Sequence, residues 1–120
     1  MTGKQKWLIP DGFLQPQSSG DQVSHEAVCV LNLEEESALI RLTFYFEDRD
    51  PMEDFTAECP GRRTHHIRLD QLTDDSGCGV PRNVPYAVEV DSSVPVIVQH
   101  SRLDTSQEPL ALCTTMAYSG

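Results

Sequence analysis

ALIRLTFYFED, residues 38–48, puts Ala38, Ile40, Leu42, Phe44 and Phe46 on one face and Leu39, Arg41, Thr43 and Tyr45 on the other. A repeat of two is the period of a β-strand with one apolar side. DRDPM (48–52) reads as a turn, and DFTAECP (54–60) then sends Phe55, Ala57 and Cys59 to one side before Pro60-Gly61 turns the chain again. The two runs are predicted to form a hairpin.

The same grammar extends in both directions. KWLIP (6–10) is a short first strand stopped by Pro10, and DGFLQPQSSGDQVS (11–24) reads as a long loop. AVCVLNL (27–33) is nearly continuous apolar, which suits a strand covered on both faces. After the hairpin, RRTHHIRLDQL (62–72) is predicted as a strand. Arg62, Thr64, His66 and Arg68 share one face of it, and Arg63, His65, Ile67 and Leu69 share the other. TDDSGCGVPRNVP (73–85) is a loop, and YAVEV (86–90) turns Tyr86, Val88 and Val90 inward. DSSVP (91–95) reads as a turn, VIVQHSRLD (96–104) as a strand, TSQEP (105–109) as a turn and LALCTTMAY (110–118) as an apolar closing strand.

No helix-period stretch of any length interrupts these runs. Eight prolines and seven glycines punctuate 120 residues, so about eight short strands fit an all-β, two-layer antiparallel sandwich of jelly-roll-like type. The length suits one domain, 1–120. The first apolar run is too short for a signal-peptide core and nothing approaches a membrane span, so the chain reads as soluble and cytoplasmic. The four cysteines, Cys29, Cys59, Cys78 and Cys113, form no C-x-x-C pair and read as buried free thiols.

Three stretches concentrate polar chemistry: Ser24, His25 and Glu26 at the mouth of a core strand; the Arg62, Thr64, His66, Arg68 face; and Gln99, His100, Arg102 and Asp104 at the end of VIVQHSRLD. His100 and Arg102 continue the row begun by Val96 and Val98. Polar groups there have to be hydrogen-bonded or wet, because burying them unpaired is costly. A pocket rim or a subunit interface would satisfy them.

Catalysis finds little support in the pattern. Ser24, His25 and Glu26 are neighbours whose side chains alternate faces, and no G-x-S-x-G surrounds any serine. No catalytic residue is assigned. The histidines form neither H-x-H nor H-x-x-x-H, and His65 and His66 point to opposite faces, so no metal site and no cofactor are expected. With 19 acidic against 9 basic side chains the formal charge is -10, which repels phosphate backbones at long range and disfavours DNA binding. Arg62, Arg63 and Arg68 are the one tight basic cluster. An exposed Trp7 and the apolar last strand offer surface for an assembly to bury.

WLIPDGF (7–13), SHEAVCVLN (24–32), YFEDRDP (45–51), RRTHHIRLDQL (62–72), VPVIVQHSRLDTSQ (94–107) and ALCTTMAY (111–118) follow one another in the order of a known family. Over nearly its whole length the chain resembles the sensory rhodopsin transducers. That resemblance implies a small cytoplasmic β-sandwich that assembles as a homotetramer. It also implies a signalling role in contact with a membrane photoreceptor or another signalling protein. Family members have further been linked to DNA and, through fold similarity, to sugar-like small molecules. The family's characteristic polar residues correspond to Ser24, His25, Glu26, Arg49, Arg62, Arg63, His66, Gln99, His100, Arg102 and Asp104. They are expected to bind a ligand or partner and to catalyse nothing.

Overall fold

The computed structural model describes residues 2–107 and 109–120. Its strands are β1 (Lys4–Phe13), β2 (His25–Asn32), β3 (Ala38–Phe46), β4 (Met52–Cys59), β5 (Arg63–Arg68), β6 (Pro85–Asp104) and β7 (Ala111–Met116), with one 3-10 turn at Leu69–Gln71. No helix among the described residues is long and apolar enough to cross a membrane. Every strand pairing is antiparallel. The all-β expectation holds.

β6 is the axis of the fold. Its first half pairs with β3 on one side and β1 on the other, and its second half pairs with β2 and β7. β4 pairs with β3 in the expected hairpin and β5 pairs with β2, so two four-stranded halves share one strand. Twenty residues of straight strand would span about 66 Å, but the longest dimension of the molecule is 42 Å. β6 is therefore bent over, and the inner faces of its two halves close on a common core. A strand that passes from one layer to the other in this way forms the corner of a sandwich.

The sequence divides β6 in two because Asp91, Ser92, Ser93 and Pro95 are turn formers. The structure corrects this: DSSVP is strand, and about eight strands become seven. Ser92 and Val94 stay buried in phase with Val90 and Val96, so the apolar row is unbroken. Pairing with β3 ends at Ser92 and pairing with β2 begins at Ile97, which places Pro95 where no N–H is needed on that side.

β1 also departs from expectation, running through Pro10 to Phe13. The register is irregular between Ile9 and Gly12, and there the missing amide costs no ladder bond. A Cβ on Gly12 would lie 2.2 Å from the Tyr86 ring, so only glycine lets β1 cross that tyrosine. β5 ends at Arg68 and not at Leu72. Trp7 is buried, not exposed, and its Nε1 donates to the carbonyls of Val96 (3.0 Å) and Lys4 (3.1 Å). Of the four free thiols only Cys59 is buried; Cys29 is half-buried, and Cys78 and Cys113 are exposed.

The core confirms the period-two reading. Ala38, Ile40, Leu42 and Phe44 of β3 pack with Phe55, Val88, Val90 and Val98. Phe44 stacks on Phe55 at 4.9 Å and on Tyr86 at 5.4 Å between ring centroids. Tyr86 ends this aromatic row and turns its hydroxyl toward the polar end of the sandwich.

Candidate functional site

Glu26 lies on the inward row of β2 with Val28 and Val30, and it is fully buried. An ionised carboxylate in such a place must be paired and hydrogen-bonded. Its Oε1 accepts the Tyr86 hydroxyl at 2.5 Å and His100 Nε2 at 3.0 Å. Its Oε2 accepts Arg102 Nε at 2.5 Å and the Phe13 amide at 2.9 Å. The donors come from both ends of β6 and from the end of β1, and the bend of β6 brings them together. Four donors fill the acceptor sites of one carboxylate.

The electrostatics follow from this arrangement. Burial pushes the Glu26 carboxyl up, but hydrogen bonds from His100, Tyr86, the Phe13 amide and Arg102 outweigh it and hold the group below the usual carboxylate range. The Tyr86 phenol moves far in the other direction, first through its own burial and then through the neighbouring Glu26 charge. Arg102 remains cationic: burial opposes the charge, and Glu26 more than restores it. Its side chain is 29% exposed, and Nη2 lies 3.7 Å from the solvent-facing Asp11. The guanidinium is thus anchored from behind by Glu26 and presented at the mouth of the sandwich.

A second polar layer locks the surrounding loops. The Ser24 hydroxyl donates to the Gln17 carbonyl (2.8 Å) and accepts the Thr105 amide (2.8 Å). Arg82 donates to the carbonyls of Gln15 (2.7 Å) and Ser24 (3.1 Å) and lies 3.6 Å from Asp70. Asp70 takes two bonds of 2.8 Å from Arg68. Its burial raises the carboxyl's pKa, but Arg68 overrides that effect and holds it low.

Of the residues singled out in the sequence, Glu26, His100 and Arg102 meet in one cluster, and Ser24 braces the loop beside it. Asp104 caps the strand end, accepting the Ser106 amide at 2.8 Å and the Ser106 hydroxyl at 2.6 Å, and these bonds, with a smaller contribution from Arg102, hold its carboxyl low. His25 faces the other way, with Nδ1 2.8 Å from the Val23 carbonyl. His66 and Gln99 flank Cys29 across the outer face of β5, β2 and β6. Arg62 and Arg63 are exposed, with Arg62 3.4 Å from Glu35. Arg49 pairs with its neighbour Asp48 on the β3–β4 turn. Sequence reasoning missed Tyr86, Asp11, Asp70, Arg82 and Thr105 as members of the network. Only Tyr86 carried a signal: an inward tyrosine needs a partner for its hydroxyl.

Cavity volume does not mark this site. An open depression of about 780 Å³ lies elsewhere, on the outer face around Leu39, Arg41, Glu58 and Asp91. One of about 330 Å³ adjoins the cluster at Asp11 and Tyr86.

The family model described as "Anabaena sensory rhodopsin transducer" matches residues 2–119. The chain belongs to this transducer family. The solved structure of the Anabaena sensory rhodopsin transducer is 35% identical, with 86% of this chain and 90% of that one covered, and superposes with a TM-score of 0.76. The crystal structure of Thermotoga maritima 1070 is 38% identical, covers 100% of this chain and 97% of its own, and gives a TM-score of 0.89. No curated protein matches. Membership in the transducer family agrees with the order of motifs read from the sequence.

Proposed function

We propose that this member of the transducer family is a non-catalytic cytoplasmic module, one domain over residues 1–120, that relays a signal through protein contacts as a homotetramer. The observation that carries the reading is the saturation of Glu26. A carboxylate with four donors is a fixed strut and not a reagent, and what it fixes is Arg102 at the mouth. Ser24 is fully buried and its hydroxyl is engaged on both sides, so it is no nucleophile. His100 Nε2 is committed to Glu26 and not to a serine. The partner would be a sensory rhodopsin or another signalling protein, met by Arg102 and the loops around it.

Arg102 together with Asp11 and Asp104 at the rim favours a second reading, a sugar-like ligand held by charge-assisted hydrogen bonds. DNA is the weakest partner class, because Arg68 is taken by Asp70 and Arg62 faces Glu35.

The test is to add the protein to lipid vesicles carrying a sensory rhodopsin and to record the photocycle after a flash. Saturable binding that changes the photocycle, and that is lost in Arg102→Ala, is the expected result. No binding, together with a rise in melting temperature on adding one member of a monosaccharide panel, would replace the relay reading with the second.

A further inference from the structure

The open depression of about 780 Å³ on the outer face of β3, β4 and β6 has the backbone around Ile40 as its floor. Outward side chains of the three strands rise about it: Leu39 and Arg41, Thr56 and Glu58, Asp91 and Ser93. Arg41 is the member that needs a reason. Every other arginine is engaged: Arg49 by Asp48, Arg62 by Glu35, Arg63 by the Arg62 carbonyl, Arg68 and Arg82 by Asp70, and Arg102 by Glu26. Among the described residues Arg41 has neither an ion pair nor a side-chain hydrogen bond, in a chain with 19 acidic side chains. Asp91 is its direct cross-strand neighbour. That carboxylate is held from the β1 side by Lys6, whose Nζ lies 3.6 Å from Asp91 and 2.9 Å from Glu89.

Glu58 stands diagonally from Arg41 across the β3–β4 pair, because Leu39 lies opposite Glu58 and Arg41 opposite Thr56. Its side chain also has no ion pair or hydrogen bond among the described residues. Diagonal neighbours on a sheet stand about 7–8 Å apart. A guanidinium and a carboxylate are thus held apart across one depression, each without a partner. We infer that this depression binds a small zwitterion, an amino acid with an apolar side chain, whose carboxylate is taken by Arg41 and whose ammonium is taken by Glu58. The site is separate from the Arg102 mouth and does not depend on the signalling role.

The neighbouring groups select this class. The planar guanidinium fork matches a carboxylate through two parallel hydrogen bonds. Ser93 Oγ accepts the Leu39 amide at 2.8 Å, which leaves its hydroxyl proton to donate to the ligand. Leu39, 61% exposed between Glu58 and Ser93, gives the ligand's side chain an apolar surface. A ligand rich in phosphate would meet one guanidinium among carboxylates on a chain of charge -10. A neutral ligand would leave both charges unmatched. The volume falls within the range of small-molecule sites.

Titration of the ¹⁵N-labelled full chain with L-leucine, followed by ¹H–¹⁵N NMR, tests this. An open site and a ligand of about nine heavy atoms give a Kd on the order of 1 mM. In that range leucine is expected to shift the amides of residues 39–41, 56–58 and 91–93 saturably. 4-Methylpentanoate lacks only the ammonium and leucinamide only the carboxylate, and each is expected to bind about tenfold more weakly or worse. Arg41→Gln is expected to abolish the leucine shifts and Glu58→Gln to weaken binding about tenfold. Both change exposed side chains, so the melting temperature should stay at the wild-type value. No saturable shift with leucine overturns the site, as do shifts confined to residues around Arg102. An equal response to 4-methylpentanoate, or undiminished binding in Glu58→Gln, overturns the pairing of both charges with a zwitterion.

Discussion

The two halves of β6 follow one alternation to different ends. From Tyr86 to Val96 the inward row is Tyr86, Val88, Val90, Ser92, Val94 and Val96, and it closes against β3 and β1 as an apolar core. From Val98 onward it becomes His100, Arg102 and Asp104, and it closes against β2 around one carboxylate. The first half is held by area removed from water and by packing, which tolerate exchange among residues of similar volume. The second is held by saturation: each donor lost from a buried charge costs stability that packing does not restore. The same strand thus supplies a rigid support and a polar mouth fixed to it, with the Tyr86 ring in the first and its hydroxyl in the second.

The sharpest break in the first half is Phe44→Ala, which removes the ring stacked between Phe55 and Tyr86. It is expected to cost about 3–5 kcal/mol in urea denaturation. Phe44→Leu should cost clearly less, and equal losses would show that packing volume is not what holds this half.

In the second half Glu26→Gln keeps the shape and removes the charge. An amide NH₂ then confronts either Arg102 and the Phe13 amide or Tyr86 and His100, and the expected loss at neutral pH is about 2–3 kcal/mol. The same variant separates the halves by pH. The folded Glu26 carboxyl lies below its unfolded value, so in acid the unfolded chain takes up the proton first. Stability is then present above the ordinary carboxylate range near about 4.3 and is lost as the pH falls through the lower folded value. Wild type should lose more stability than Glu26→Gln between neutral and acid pH. The variant keeps a shallower slope, because Asp70 is held low by Arg68 in the same way. Parallel pH profiles would contradict the assignment.

Tyr86→Phe touches both halves by a single atom. The ring stays against Phe44 while Glu26 loses one donor of four, and about 1–2 kcal/mol is expected. Asp11→Asn should be nearly silent, within about 0.5 kcal/mol, because Asp11 is 85% exposed and its contact to Arg102 is 3.7 Å.

The apolar half was legible in the sequence and the polar half only in fragments. ALIRLTFYFED and YAVEV announce their inward residues because alternation is local, and Phe44, Val88 and Val90 are buried as read. Glu26 and His100 both stand out in the sequence, but in separate polar groups. Their meeting depends on the β2–β6 pairing, which joins residues 74 positions apart and which no local pattern records. DSSVP misled because turn propensity is a local preference, and the burial of Ser92 and Val94 overrides it. Arg82 sits in a loop without periodicity, so nothing in TDDSGCGVPRNVP signals its reach to Ser24.

The central claim is that Glu26 is an ionised strut, saturated by Tyr86, His100, Arg102 and the Phe13 amide. Its side-chain carboxyl carbon, assigned by comparison with Glu26→Gln and followed by ¹³C NMR through an acid titration of the folded protein, tests that claim most directly. A midpoint clearly below the ordinary glutamate value of about 4.3 is the expected result, moving upward in Tyr86→Phe as one donor is lost. A midpoint at or above that value would mean that burial outweighs the four donors, and that Glu26 is a protonated group and not the anchor of Arg102.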